Sequence, residues 1–282
     1  LGNWVPFQDQ YDAFYFVADW HALTSDFADT SQLTAYAYDN VADWIGAGVD
    51  PEKSTVFAQS LVPEHAELFL LLSMVVPVPW LERVPTYKEQ QDTLKDKDLS
   101  SIGFLGYPLL QTADVAMYDA RFVPVGDDQV AHLEFAREAV RRFNKFFGEV
   151  FVEPQPLVTT FSRLPGLDGG KKMSKSLGNT IHLSDGPDEV RRKVMSMYTD
   201  PKRVRADVPG TVEGNPVFTF HDAFNPDKAE VNDLKDRYRA GTVGDVEVKK
   251  KLVAALNTHL DPIRERRAAV LARPGHVREI LV

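Results

Sequence analysis

Two short apolar runs, Phe14 to Ala18 (FYFVA) and Ser54 to Ala58 (STVFA), are each followed by polar or turn residues. Runs of this length and aromatic or β-branched character read as buried strands. Between them, Ser31 to Ile45 carries Leu33, Tyr36, Ala37, Val41 and Ile45 at three- and four-residue spacing and stops at Gly46 and Gly48. That spacing predicts an amphipathic helix closed by glycine. Strand, helix and parallel returning strand form the unit of a doubly wound α/β sheet, whose ligands sit at the carboxyl ends of its strands. The chain is therefore read as an α/β protein with a Rossmann-type parallel sheet.

Further helices are predicted at Pro63 to Ser73 and Gly126 to Phe147, the second with Glu134 and Glu138 able to pair with Arg137, Arg141 and Arg142. After Gly178 the composition shifts to helical stretches rich in Lys and Arg at Pro187 to Tyr198, Pro226 to Arg239 and Val246 to Leu271. The last is expected to break and restart at Asp261-Pro262, with Asp as cap and Pro in the first turn. Two domains follow from this pattern: residues 1–185 as the Rossmann domain, and 186–282 as a helical domain. With 282 residues, 44% of them hydrophobic, such a chain can bury a sizeable core.

Composition narrows the chemistry. There are no cysteines, which excludes disulfides, thiolate zinc sites and cysteine-ligated iron-sulfur clusters. No His-rich spacing of the HExxH kind appears, so no metal ligands are assigned. The longest apolar run, Leu68 to Val78, is too short to cross a bilayer, and no export signal is visible, which leads us to expect a soluble, cytoplasmic protein. A net charge of −9 argues against a general nucleic-acid binder. Between Lys171 and Arg205, however, nine basic residues face four acidic ones. Such a cluster is either a solvated helix face or a phosphate-handling region.

The string Gly169-Gly170-Lys171-Lys172-Met173-Ser174-Lys175-Ser176-Leu177-Gly178 places lysines and hydroxyls close together between glycines. A loop of this kind can neutralise a polyphosphate, or it can simply be a solvated basic loop. Tyr107, Gln111 and Asp114, within Tyr107-Pro108-Leu109-Leu110-Gln111-Thr112-Ala113-Asp114, stand at i, i+4 and i+7. On a helix they share one face, suited either to a small polar ligand or to structural hydrogen bonds.

The string KMSKS resembles the second signature of class I aminoacyl-tRNA synthetases. The ordered series Asp19-Trp20-His21-Ala22, Tyr107 to Asp114, Val123-Pro124-Val125-Gly126-Asp127-Asp128-Gln129, His132-Leu133-Glu134 and Arg142-Phe143-Asn144 is similar to the tryptophanyl-tRNA synthetases, of bacterial type, over essentially the whole chain. The resemblance implies an aminoacyl-tRNA ligase that joins tryptophan to tRNA(Trp) through an adenylate, using ATP with Mg²⁺ and assembling as a homodimer. Carried onto this chain, Lys172, Ser174, Lys175 and Ser176 would be catalytic and, with Met173, Gly126, Asp127, Asp128 and Leu164, would bind ATP. Asp114 would accept the indole N–H; Val123 and Val125 would line the ring pocket; Tyr107, Gln111, His21 and Gln129 would complete the amino-acid site. Lys88 is a further candidate for the ATP phosphates.

The helical domain would bind the tRNA anticodon. The patch of Arg191, Arg192, Lys193, Lys202, Arg203 and Arg205 would either contact tRNA phosphates or be structural beside the loop. Gly214 to Val248 aligns with a region that holds an iron-sulfur site in some relatives, and without cysteine no cluster is expected. Apolar residues between Leu68 and Trp80 serve either a dimer contact or a core helix.

Departures from the family leave other readings open. Many bacterial relatives carry methionine where Gln111 stands, and Tyr-x-x-x-Gln-x-x-Asp is also the tyrosine-binding pattern of tyrosyl-tRNA synthetases, which makes tyrosine the alternative substrate. The first class I signature is absent; Leu1-Gly2-Asn3-Trp4 aligns just beyond it, so about two dozen residues are expected upstream and a last helix beyond Val282. A non-catalytic paralogue is the remaining alternative.

Overall fold

The computed structural model describes residues 4–85, 87, 99–126, 129–158, 164–169, 173, 177–203, 205 and 207–281. Strand β1 (Phe14–Val17) pairs in parallel with β2 (Thr55–Ala58), Phe14 opposite Thr55 and Val17 opposite Ala58. Helices α1 (Asp19–Asp26) and α2 (Leu33–Ala47) make the crossover. Helix α2 ends as the sequence predicts: Gly48 takes φ +115°, a left-handed conformation that costs a residue with a Cβ, and its N–H closes on Trp44 and Ile45 carbonyls. A second parallel pair, β3 (Phe122–Val125) and β4 (Gln155–Val158), encloses α6 (Val130–Phe147) in the same strand-helix-strand manner. Both crossovers are those of a doubly wound α/β protein.

Contacts divide the chain into two compact units, Leu1–Ser162 with Val270–Val282, and Arg163–Ala269. The division expected at 185 falls after the KMSKS string, whereas the unit Arg163–Ala269 begins before it, with Leu167 and Met173 packed with Val190, Val194 and Val217.

In the first unit one core lies where Tyr15, Val17, Val56 and Ala58 of the strands meet Val41 and Ala42 of α2. A second joins α3 (Glu64–Ser73) and α5 (Ile102–Ala116) to α6 through Leu68, Leu72, Leu109, Ala113, Phe135 and Ala139. Short helix α4 (Val78–Glu82) adds Leu81 to it. On α6, Arg137 pairs with Glu134 and Glu153, and Arg141 with Glu153. Arg142 instead donates to the Val75 carbonyl and lies over the Trp80 ring.

The second unit is helical: α7 (Pro187–Met195), α8 (Pro216–Phe224), α9 (Lys228–Ala240) and most of α10 (Asp245–Leu271). Helix α8 opens with Asn215 accepting the Val217 N–H and Pro216 in the first turn. The expected break at Pro262 does not occur; α10 runs through it. Proline removes one backbone hydrogen bond, but Leu256, Leu260 and Ile263 are buried on one side of the helix. Arg264 also braces the turn, bonding to Asp261, Asn257 and the Asp185 carbonyl.

Candidate active site

Helix α5 begins at Ser101, whose hydroxyl accepts the Phe104 N–H at 3.1 Å, and it carries Tyr107, Gln111 and Asp114 on one face as their spacing predicts. Asp114 is buried, with 5% of its surface exposed, while Tyr107 and Gln111 are half-buried. The Tyr107 hydroxyl lies 2.8 Å from His132 Nε2 on α6.

A buried carboxylate persists only with partners, and Asp114 has several. Gln59, directly after β2, donates its Nε2 to Oδ1 at 2.7 Å, and His65 on α3 donates Nδ1–H to the same oxygen at 2.7 Å. His21, on α1 directly after β1, reaches Oδ2 with Nε2 at 2.7 Å. Burial alone would raise the Asp114 pKa, but the hydrogen bonds from His21 and His65 outweigh it and hold the carboxyl below its ordinary range. It is therefore ionised at neutral pH.

The carboxyl ends of β1 and β2 are tied together beside it. Asp19 accepts the Trp20 and Ser60 N–H groups at 3.1 and 3.0 Å and also the Ser60 hydroxyl; the His21 N–H reaches Gln59 Oε1 at 3.4 Å. Val123, Val125 and Gly126, at the end of β3, and Gln129 are half-buried. The structure thus brings His21 to Asp114, and it adds Gln59, His65 and, 2.9 Å from His65 Nε2, the hydroxyl of Tyr118, none of which the sequence singles out. One signal was available for His65: it stands three and seven residues before Leu68 and Leu72, on the buried stripe of α3.

Lys88, Asp127, Asp128, Lys172, Ser174, Lys175 and Ser176 lie outside the described residues. Leu164 and Met173 are half-buried in the helical unit. The stems of the KMSKS string are joined there: the Leu167 N–H donates to the Asn179 carbonyl at 3.1 Å, the Tyr198 N–H to the Leu167 carbonyl at 2.8 Å, and Asn179 Nδ2 to Asp168 at 3.3 Å. Gly169 has φ +87°, and a Cβ there would lie 2.4 Å from the Tyr198 ring.

The basic stretch separates residue by residue. Arg203 is buried, donating to the Val208 and Val243 carbonyls, pairing with Asp245 at 3.2 Å and lying 4.0 Å over the Tyr238 ring. Lys193 pairs with Asp185, Arg192 with Glu189, and Arg205 with Asp207. Arg191 and Lys202 are exposed. For Arg203 the structural role wins, because a guanidinium with these partners is not available to phosphate.

Parallel strands with helical crossovers, an ionised carboxylate at their carboxyl ends and a KMSKS string downstream define a class I aminoacyl-tRNA synthetase. Comparison with known proteins narrows the class. The family model for tRNA synthetases class I (W and Y) matches residues 1–261. The tryptophan–tRNA ligase of Treponema pallidum is 47% identical over 283 residues, covering 100% of this chain and 84% of the relative; that of Thermotoga maritima is 46% identical, covering 100% and 86%. Tryptophanyl-tRNA synthetase from Campylobacter jejuni, solved with ADP and tryptophan, superposes with a TM-score of 0.85 at 33% identity, covering 99% of this chain and 85% of that one. The chain belongs to the W and Y family of class I tRNA synthetases.

Proposed function

We propose that the chain is the body of a tryptophan–tRNA ligase, acting on tryptophan, ATP and tRNA(Trp). The observation that carries this reading is Asp114: an ionised, buried acceptor on the same helix face as Tyr107 and Gln111. Relatives named for this activity match along the whole chain. The indole N–H finds its acceptor in the carboxylate, Val123 and Val125 flank the ring, and Tyr107, Gln111, His21 and Gln129 complete the amino-acid site. An amino acid without a donor at that place would leave one acceptor direction of a buried carboxylate unfilled, a penalty that discriminates without editing.

The amino-acid carboxylate attacks the α-phosphorus of ATP; a new O–P bond forms, the bond to the bridging oxygen breaks, and pyrophosphate leaves. The acyl group then passes to a ribose hydroxyl of the terminal adenosine, releasing AMP. Neither step needs a side-chain nucleophile. Catalysis rests on alignment and on charge stabilisation by Lys172, Lys175, Ser174 and Ser176, with Mg²⁺ entering as part of the ATP complex. Gly126, Asp127, Asp128, Leu164 and Met173 hold the nucleotide. The helical segment beyond 186 takes the anticodon, and the reaction runs in the cytoplasm, in keeping with the absence, among the described residues, of any helix long and apolar enough to cross a membrane.

A second copy covers the outer side of α3 and the turn after it. Leu68, Leu72 and Val76 are buried in the core, whereas Leu70, Leu71, Met74 and Val78 are 53–72% exposed within a few residues of one another. Such a patch is suited to burial against an identical surface.

Amino-acid-dependent ATP–pyrophosphate exchange on the full-length protein, with tryptophan, tyrosine and no amino acid in parallel, tests the activity. Exchange with tryptophan alone is expected. Exchange with tyrosine alone would transfer the pocket to Tyr107 and Gln111, and none with either would leave a non-catalytic paralogue.

A further inference from the structure

The carboxylate of Asp114 is crowded with donors before any ligand arrives. A carboxylate offers about four acceptor directions. Gln59 and His65 fill both of those on Oδ1, and His21 takes one of the two on Oδ2. These donors differ in access: Gln59 and His65 are 0% exposed, while the His21 side chain is 20% exposed on a short helix. Among the contacts of the described residues, Oδ2 alone keeps an open acceptor direction, so Oδ2 is the oxygen that can meet a ligand.

His65 is held from its other edge as well. Its Nε2 lies 2.9 Å from the Tyr118 hydroxyl. Burial first, then the charges of Asp114 and Glu64, push the Tyr118 pKa up to about 12, so the phenol keeps its proton and donates it. With Nδ1–H given to the carboxylate, Nε2 is the acceptor, and a single tautomer satisfies both contacts. Phe16, Phe57 and Tyr118 pack around the imidazole with ring centroids 5.5–6.0 Å away. An aspartate left to itself rotates broadly about its last torsion. Two fixed donors on Oδ1 remove that freedom.

We propose that His65 and Tyr118 are positioning residues for amino-acid recognition, a clamp that fixes Oδ1 and presents Oδ2 alone to the indole N–H. This deepens the reading of Asp114 given above and rests on it. Its consequence is selectivity for a donor at one place: tryptophan is accepted, and the benzothiophene isostere, with sulfur in place of N–H, is refused.

The experiment measures kcat/KM in pyrophosphate exchange for tryptophan and for that isostere, on the full-length enzyme, with thermal melts to establish folding. His65→Leu removes the donor; His65→Asn places an amide N–H near the position of Nδ1. We expect the tryptophan-to-isostere ratio to fall about 10-fold or more in His65→Leu, to return most of the way in His65→Asn, and KM for ATP to stay constant in both. An unchanged ratio in His65→Leu, or an equal fall in His65→Asn, overturns the clamp. Should His65→Leu fail to fold, Tyr118→Phe, which frees the ring edge, is expected to lower the ratio, and an unchanged ratio there overturns the clamp equally. A ratio near unity in the unsubstituted enzyme overturns the clamp together with the reading of Asp114; a high ratio that no variant lowers overturns the clamp alone.

Discussion

Asp114→Asn keeps the shape of the side chain and exchanges one acceptor for a donor. The amide oxygen belongs on the side where Gln59 and His65 both donate, since two buried donors at 2.7 Å would otherwise face an NH₂ group. The NH₂ then occupies the place of Oδ2, opposite His21 and the incoming indole, donor against donor. What is lost for the substrate is one hydrogen bond to a charged group, about 1.5–3 kcal/mol, equivalent to about 10- to 150-fold in kcat/KM for tryptophan. Pyrophosphate exchange at varied tryptophan and saturating ATP should place the change in KM for tryptophan, with KM for ATP unaltered. The pH dependence follows from the sign of the shift. A carboxyl held below its unfolded value stays ionised above about pH 4, and its contribution disappears only as pH falls through the lowered folded pKa. Between pH 6 and 8 Asp114 should therefore add no limb to the profile. A variant whose tryptophan KM equals that of the parent would refute the assignment.

The helical unit offers three further tests. Arg203→Met should destabilise it by about 3–5 kcal/mol, because Asp245 loses its buried partner, whereas Lys202→Ala should leave the urea midpoint unchanged and weaken tRNA binding. Gly169→Ala combines a left-handed backbone with a Cβ pressed on Tyr198; a loss of about 1–3 kcal/mol and a lower kcat at constant tryptophan KM are expected from melts and steady-state kinetics. His221 is 0% exposed, donates Nε2–H to the Val248 carbonyl and has its pKa lowered chiefly by burial. Its contribution is present above its unfolded pKa of about 6.5 and is lost as pH falls towards the folded value, at up to about 1.4 kcal/mol per pH unit. Melts from pH 7.5 to 5 should show this slope, and His221→Gln should flatten it.

Periodicity carried most of what the sequence could say. Strands β1 and β2, helix α2 with its glycine stop and the shared face of Tyr107, Gln111 and Asp114 all follow from short-range spacing, because neighbours in sequence are there neighbours in space. The donors around Asp114 were not legible in that way. Gln59, His65 and His21 lie 49 to 93 residues from it, and only the parallel return of β2 and the packing of α3 on α5 bring them together. The choice between phosphate contact and a structural role for Arg203 is open in the sequence for a related reason: counting charges along a basic run does not say which of them are buried. Pro262 shows the limit of a local rule, since a proline that costs one hydrogen bond is tolerated where packing on the same turn exceeds that loss.

The first compact unit is assembled from both ends of the sequence. Val270, Val277 and Leu281 fill the core made by β1, β2 and α2, with α11 (Pro274–Ile280) lying against α2. During synthesis the chain emerges from its first residue onward, so the strands that lead into His21 and Gln59 wait, with one side of their core open, until the whole helical unit has been made. Completion of the core behind those strands thereby becomes a late event in the life of the chain, and a ribosome that stalls before residue 270 leaves that core without Val270, Val277 and Leu281, an apolar surface for chaperones or proteases to find.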